Sequence, residues 1–161
     1  MDSIPLNRTL TALPALLEGT VETLHEQAAA LDVSLTIEAA RDLPRVRVDA
    51  EKIAWAVATL VGNALRYVRR GTRRLPGGSI RVHLRAEAGA AVIEVEDDGP
   101  GIPADKVQSL FRRGAGVTHG TGLALMLVQD VLVAHGGTVD VQSSTEAHAS
   151  GTKVSLRVPV A

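Results

Sequence analysis

Apolar and polar positions repeat along this chain with two periods, and the period switches wherever one element gives way to the next. From Leu10 to Leu31 the apolar residues Leu13, Leu16, Leu17, Val21, Leu24 and Ala28 fall on one stripe, which predicts an amphipathic helix. His25 lies within it and reads as a boundary histidine without chemistry. After Asp32 the period drops to two at Val33, Leu35 and Ile37, the mark of a short strand. Pro44 stops any helix, and Val46 and Val48 alternate. Asp49 then stands where an N-cap belongs, ahead of a second helix running to about Arg70 on the stripe Ile53, Val57, Leu60, Ala64 and Val68.

Gly71 and the run 73–78 end that helix in a turn. Ile80, Val82 and Leu84 next alternate with Arg81, His83 and Arg85, as on a half-exposed strand, and Val92 to Asp97 follows Gly89 as its hairpin partner. The period of two puts Ile93, Val95 and Asp97 on one face, so Asp97 ends its strand with the carboxylate turned toward the apolar side. Asp98 points the other way and reads as an ordinary turn residue. Pro103 to Arg113 reads as a short helix, and Gly114 to Gly120 as a mobile, lid-like loop with few apolar anchors. Thr121 to His135 is apolar on nearly all sides and is expected to be buried, with Gly136 and Gly137 ending it. Val139 and Val141, then Val154, Leu156 and Val158, form a last strand pair around the polar loop Ser143 to Gly151.

Composition narrows the classes. A chain of 161 residues, 45% hydrophobic, is long enough for one domain with a sizeable core and short for two, so residues 1–161 are taken as a single domain. A net charge of -1 with acid and base interspersed leaves no footprint for nucleic acid. The absence of cysteine excludes a disulfide framework and thiol chemistry and is compatible with the cytoplasm. No apolar run approaches the roughly 20 residues of a membrane span, and the N-terminus lacks the regions of a signal peptide. A soluble chain, monomeric in isolation and without membrane contact of its own, is expected, whether or not it is the cytoplasmic part of a larger membrane-bound sensor. His25, His83, His119, His135 and His148 show no metal-ligand spacing, so no zinc site is expected. Ser79, Ser143 and Ser155 lack a nucleophile elbow or a nearby base, which argues against a hydrolase triad.

The candidate chemistry is concentrated from Val95 to Gln129, between two glycine-rich turns. Gly99 and Gly101 let the backbone turn tightly and let a flat ligand approach, because no Cβ stands in the way. Gly120 and Gly122 bracket a helix start whose unpaired N–H groups and positive dipole end suit a phosphate. A ring at one end and a charge at the other describe a nucleotide. Asp97, a buried carboxylate in need of a donor, suits an adenine amino group. On the second helix Thr59, Asn63, Arg66 and Tyr67 lie three or four apart along one face. Asn63 could offer a carbonyl oxygen to Mg²⁺, although this segment read alone is more readily a solvated helix face.

The blocks A-V-A-T-L-V-G-N-A-L-R-Y, V-E-D-D-G-P-G-I, L-F-R-R-G and G-T-G-L-A-L, in that order and spacing, resemble the ATP-binding catalytic domain of two-component sensor histidine kinases. The resemblance runs from about Leu10 to the end and includes H-G-G after the third helix and G-T-K-V-S-L in the last strand. It implies an α+β fold, the two-layer Bergerat sandwich, with a mixed sheet covered on one face by three helices. It also implies roles. Asn63 matches the Mg²⁺-binding asparagine, with Arg66 and Tyr67 the basic and aromatic residues after it. Asp97 matches the adenine-binding aspartate, with Gly99, Gly101 and Ile102 in the turn beneath the base. Phe111 and the phosphate-facing, catalytic Arg113 match the hinge of the lid; Gly120, Thr121, Gly122 and Leu123 match the second glycine box, and Thr152 lies in the last-strand block. The chain departs from the family at Thr59, Gly114 and Ala124, where an asparagine, a phenylalanine and a glycine are common.

No block like H-E-x-x-R-T-P occurs, so the phosphoacceptor and dimerisation hairpin is absent from this chain. The resemblance therefore implies a module that binds ATP or ADP with Mg²⁺ and transfers the γ-phosphate to a histidine on another domain, with a response regulator downstream. Other readings of the same fold are an ATPase of the gyrase, Hsp90 and MutL kind, a serine kinase acting on an anti-sigma-factor antagonist, and a nucleotide-binding pseudokinase. Against hydrolysis stands Thr59, whose hydroxyl is far too weak a base to replace the glutamate that such ATPases place near this position.

Overall fold

The computed structural model describes residues 4–107 and 120–160, with side chains described for 4–107 and 124–160. In chain order the elements are β1 (Thr9–Thr11), α1 (Leu13–Ala30), β2 (Ser34–Ala39), β3 (Val46–Val48), α2 (Ala50–Tyr67), β4 (Ser79–Glu87), β5 (Ala90–Asp97), α3 (Ala104–Val107), α4 (Gly120–Ala134), β6 (Thr138–Ser144) and β7 (Gly151–Pro159). Among the described residues no helix is long and apolar enough to cross a membrane.

Alternation of side chains builds the main sheet, whose order is β2-β4-β5-β7-β6. Strand β2 runs parallel to β4, and the other neighbours are antiparallel, so the sheet is mixed. Ile80, Val82 and Leu84 of β4, Ile93 and Val95 of β5, and Val154, Leu156 and Val158 of β7 are buried on one face. Helix α1 packs over β2, α2 over β4 and β5, and α4 over β6 and β7, all against this face. The opposite face is charged. Arg81 pairs with Glu96, Arg85 with Glu94 at 2.7 Å and with Glu87, and Lys153 with Glu94 at 3.8 Å. This division into one apolar and one ionic face makes the two-layer α+β sandwich that the sequence implies.

Several boundaries differ from the expected ones. The first helix starts at Leu13, not Leu10, because Thr9–Thr11 pairs antiparallel with β3 as a separate two-stranded sheet, and Pro14 then sits in the first helical turn, where its missing N–H costs nothing. Helix α2 stops at Tyr67, not Arg70, since Val68 turns extended (φ -70, ψ 143) and buries its side chain. A fourth helix, α3, joins the three long ones and occupies Ala104–Val107 of the stretch expected to be helical from Pro103 to Arg113, whose remainder lies outside the described residues. Helix α4 is less enclosed than its composition suggests: Leu127 is 39% and Val133 61% exposed. It ends in a Schellman turn, with Gly136 at φ 75, Gly137 N–H donating to Leu132 O and Gly136 N–H to Val133 O. Asp98, read as an ordinary turn residue, accepts the Ser79 N–H at 2.8 Å and faces the Ser79 hydroxyl at 3.2 Å, tying the ends of β4 and β5.

Candidate functional site

A cavity of about 310 Å³ opens where α2 faces the ends of β5 and β7. Helix α2 contributes Leu60, Asn63, Ala64 and Tyr67, and the sheet contributes Val95, Asp97, Thr152 and Val154. The turn after β5 adds Pro100, Gly101, Ile102 and Pro103, with Lys106 of α3 and Leu125 of α4 completing the lining. Most of this surface is apolar, and Asp97, Asn63 and Thr152 are polar points on it. Flat apolar walls with a few placed hydrogen-bonding groups are what an aromatic ligand requires.

Asp97 is half-buried at the end of β5, on the face shared with Val95, as the period of two foretold. Burial pushes its carboxyl above the ordinary aspartate value, opposed by backbone hydrogen bonds from Gly99 and Thr152. The Gly99 N–H donates to Oδ1 at 2.8 Å. Gly99 itself is buried behind the turn and is not part of the lining. Gly101 needs to be glycine for two reasons. Its φ is +79, and a Cβ there would strike the carbonyl of Ser144 on β6. The turn is thus pressed against the β6–β7 hairpin, and the Ile102 N–H is held there by Ser143 Oγ at 2.7 Å.

Asn63 lines the same cavity as Asp97 from the fourth turn of α2, and its Nδ2 is buried with no hydrogen-bond partner among the described residues. Nothing described anchors the amide, so its oxygen can be turned to an incoming group. That fits a hard cation held by one amide oxygen, phosphate oxygens and water. Among the described residues no group of three His, Cys, Asp or Glu side chains could hold a metal by itself. Tyr67 lines the cavity although 52% exposed, whereas Arg66 is exposed and does not line it. Gly120 to Leu123 form the first turn of α4, and Leu125, one turn on, reaches the cavity. Phe111, Arg113 and the expected lid from Gly114 to His119 lie outside the described residues.

Of the sequence candidates, the structure therefore gathers Asn63, Tyr67, Asp97, Gly101, Ile102 and Thr152 around one cavity. Sequence reasoning missed the apolar lining, Leu60, Ala64, Val95, Leu125 and Val154, because each falls on a stripe that reads as core. Leu60 and Ala64, three residues before and one after Asn63 on the same helix, were the available signal.

The model of the histidine kinase-, DNA gyrase B- and HSP90-like ATPase family matches residues 48–161. Among curated proteins, the chain is 31% identical over 140 residues to the adaptive-response sensory kinase SasA of Synechococcus sp. (strain JA-2-3B'a(2-13)), covering 83% of this chain and 36% of that protein. It is 31% identical over 131 residues to the alginate biosynthesis sensor protein KinB of Pseudomonas aeruginosa, covering 80% and 20% respectively. The chain thus spans about a third or less of the length of these two relatives. In fold it is similar to full-length ShkA in complex with AMPPNP, with a TM-score of 0.84 at 23% identity over 99% of this chain and 32% of that one. It is also similar to the nucleotide-free catalytic domain of the histidine kinase ThkA, with a TM-score of 0.81 at 22% identity over 96% of this chain and 99% of that one. The chain belongs to the histidine kinase-, DNA gyrase B- and HSP90-like ATPase family.

Proposed function

We propose that residues 1–161 form the ATP-binding catalytic module of a sensor histidine kinase, which holds Mg²⁺-ATP and passes its γ-phosphoryl group to a histidine on a separate domain. What supports this most is the placing of one half-buried carboxylate, Asp97, with Asn63 and Thr152 as further polar points, in a mostly apolar slot. A carboxylate there accepts a hydrogen bond from an adenine amino group while Val95, Ile102 and Val154 meet the ring. The kinase relatives and the catalytic-domain fold favour the same reading.

Asn63 would turn its amide oxygen toward Mg²⁺, which when bound supplies positive charge to the phosphate oxygens. The first turn of α4 carries N–H groups that have no partner within the helix itself, which suits them to the phosphates. Arg113 keeps the phosphate-facing role that the sequence resemblance implies. In the transfer the bond from the γ-phosphorus to the bridging oxygen breaks, ADP leaves with that oxygen, and a P–N bond forms on the acceptor imidazole. The acceptor histidine domain and a response regulator are the partners, and the module works in the cytoplasm.

Incubation with γ-labelled ATP, alone and with acceptor histidine domains, tests the reading. Label is expected on an acceptor domain and on none of the chain's own histidines. Phosphate released to water at the same rate with and without acceptor would make the chain an ATPase instead.

A further inference from the structure

Behind the cavity, on β6, Ser143 is surrounded by three partners. Its Oγ lies 2.7 Å from the Ile102 N–H, 2.9 Å from the Gly151 carbonyl and 2.8 Å from Thr152 Oγ1. A hydroxyl has one proton and two lone pairs. The Ile102 N–H can only donate, so it takes one lone pair. The Gly151 carbonyl can only accept, so it takes the proton. The remaining lone pair can serve only the Thr152 hydroxyl, which must therefore point its own proton at Ser143. Thr152 lines the cavity, and with its proton committed behind it, Oγ1 offers the cavity lone pairs alone. Asp97, ionised beside it, offers the same.

We infer that Ser143 is a positioning residue that makes the polar wall of the nucleotide cavity acceptor-only, so that it reads an amino group and rejects a carbonyl, and that it pins the Gly101–Ile102 turn in the same stroke. This deepens the ATP-binding reading and rests on it. Ser143 does not line the cavity and acts through Thr152 and Ile102. Its neighbours place it well for this. Register sets Ser143 opposite Thr152 and Thr152 opposite Asp97, so one row across three strands carries the whole arrangement. The next residue, Ser144, is the one whose carbonyl Gly101 is pressed against.

If Ser143 loses its hydroxyl, the Thr152 proton is released to turn into the cavity. The wall then gains a donor, and a base with a carbonyl in place of the amino group is tolerated. ATP and ITP differ in this way. Both are competed against a fluorescent adenine nucleotide on wild type, Ser143→Ala, Ser143→Cys and Ser143→Thr, with thermal melting of each. The ratio of the two affinities is read within one protein, so it does not depend on how much of a variant is folded. Wild type is expected to prefer ATP, with the preference reduced by about tenfold in the alanine variant and in the cysteine variant, which keeps the volume but accepts weakly. Ser143→Thr, which keeps the hydroxyl, is expected to retain the preference. A ratio unchanged in the alanine and cysteine variants, while wild type binds and prefers ATP, overturns the role of Ser143 alone. A wild type that binds no adenine nucleotide defeats the underlying functional reading, and this inference with it.

Discussion

Asp97 lines the cavity as the proposed acceptor for the base, and its burial makes its charge harder to keep. Its carboxyl titrates above the ordinary aspartate value, so as pH falls it is neutralised earlier than an exposed aspartate would be. The same shift opposes folding while the group is charged and is relieved on protonation, so the acid side weakens binding without a matching loss of stability from this residue. Adenine-nucleotide affinity is expected to drop as pH is lowered from 7 toward the range in which this carboxyl takes up its proton. Calorimetric titration of wild type beside Asp97→Asn isolates this residue from the phosphates' own titration, and parallel curves for the two would remove Asp97 from the site. Asn63 carries a separate expectation. Asn63→Ala should weaken ATP binding several-fold in Mg²⁺ and little in EDTA, because the amide is a metal ligand in this account and touches no base. An equal loss in both buffers would make it a structural residue.

The helix N-cap at Asp49 binds three parts of the fold together. Its Oδ1 accepts the Lys52 N–H at 3.1 Å, its Oδ2 accepts the Asn7 N–H at 3.0 Å and the Lys52 ammonium at 3.1 Å, and its own N–H donates to Nε2 of buried His135 at 3.0 Å. His135 Nδ1 in turn lies 2.8 Å from the Val131 carbonyl, so α4 is tied to the start of α2. The carboxyl of Asp49 is held down to about 2, chiefly by the Asn7 N–H, against burial that pushes it up, with the Lys52 N–H and ammonium assisting. A depressed value means that the stabilisation is present above the unfolded value near 3.8 and is lost as pH falls toward 2. It amounts to about 2 kcal/mol, and Asp49→Ala should cost about that much or slightly more at neutral pH. Urea unfolding at pH 7 and pH 3 checks both statements, since the gap between wild type and variant should shrink at the lower pH. In the turn after β5, Gly101→Ala should cost about 2 kcal/mol or more through its positive φ and the collision with Ser144, and should lower nucleotide affinity by shifting Ile102.

At the scale of the molecule, what could be read from sequence was whatever depends on local period. The orientation of Asp97, the cap at Asp49 and the glycine stop after α4 are decided by a few neighbouring residues, and the structure bears them out. The strand Thr9–Thr11 escaped because its strand partner among the described residues, Val46–Val48, is distant in sequence and three residues carry no period. The apolar lining of the cavity escaped for the opposite reason: Leu60 and Ala64 carry the same period as the core, and only the neighbouring sheet end turns them into a wall. The arrangement around Ser143 depends on the register of β6 with β7, which a polar loop of unmarked length does not disclose.

The central claim is that this fold presents an adenine-reading cavity ending in Asp97, and competition of ATP and GTP against a fluorescent adenine nucleotide tests it most directly. Guanine would set a carbonyl oxygen against the desolvated carboxylate, at a cost of about 1.5 to 3 kcal/mol or more. Wild type should therefore bind ATP at least ~10- to 100-fold more tightly than GTP, and Asp97→Ala should lose most of that preference while keeping its fold by circular dichroism. Equal binding of the two nucleotides by wild type would contradict the account and would put the base elsewhere.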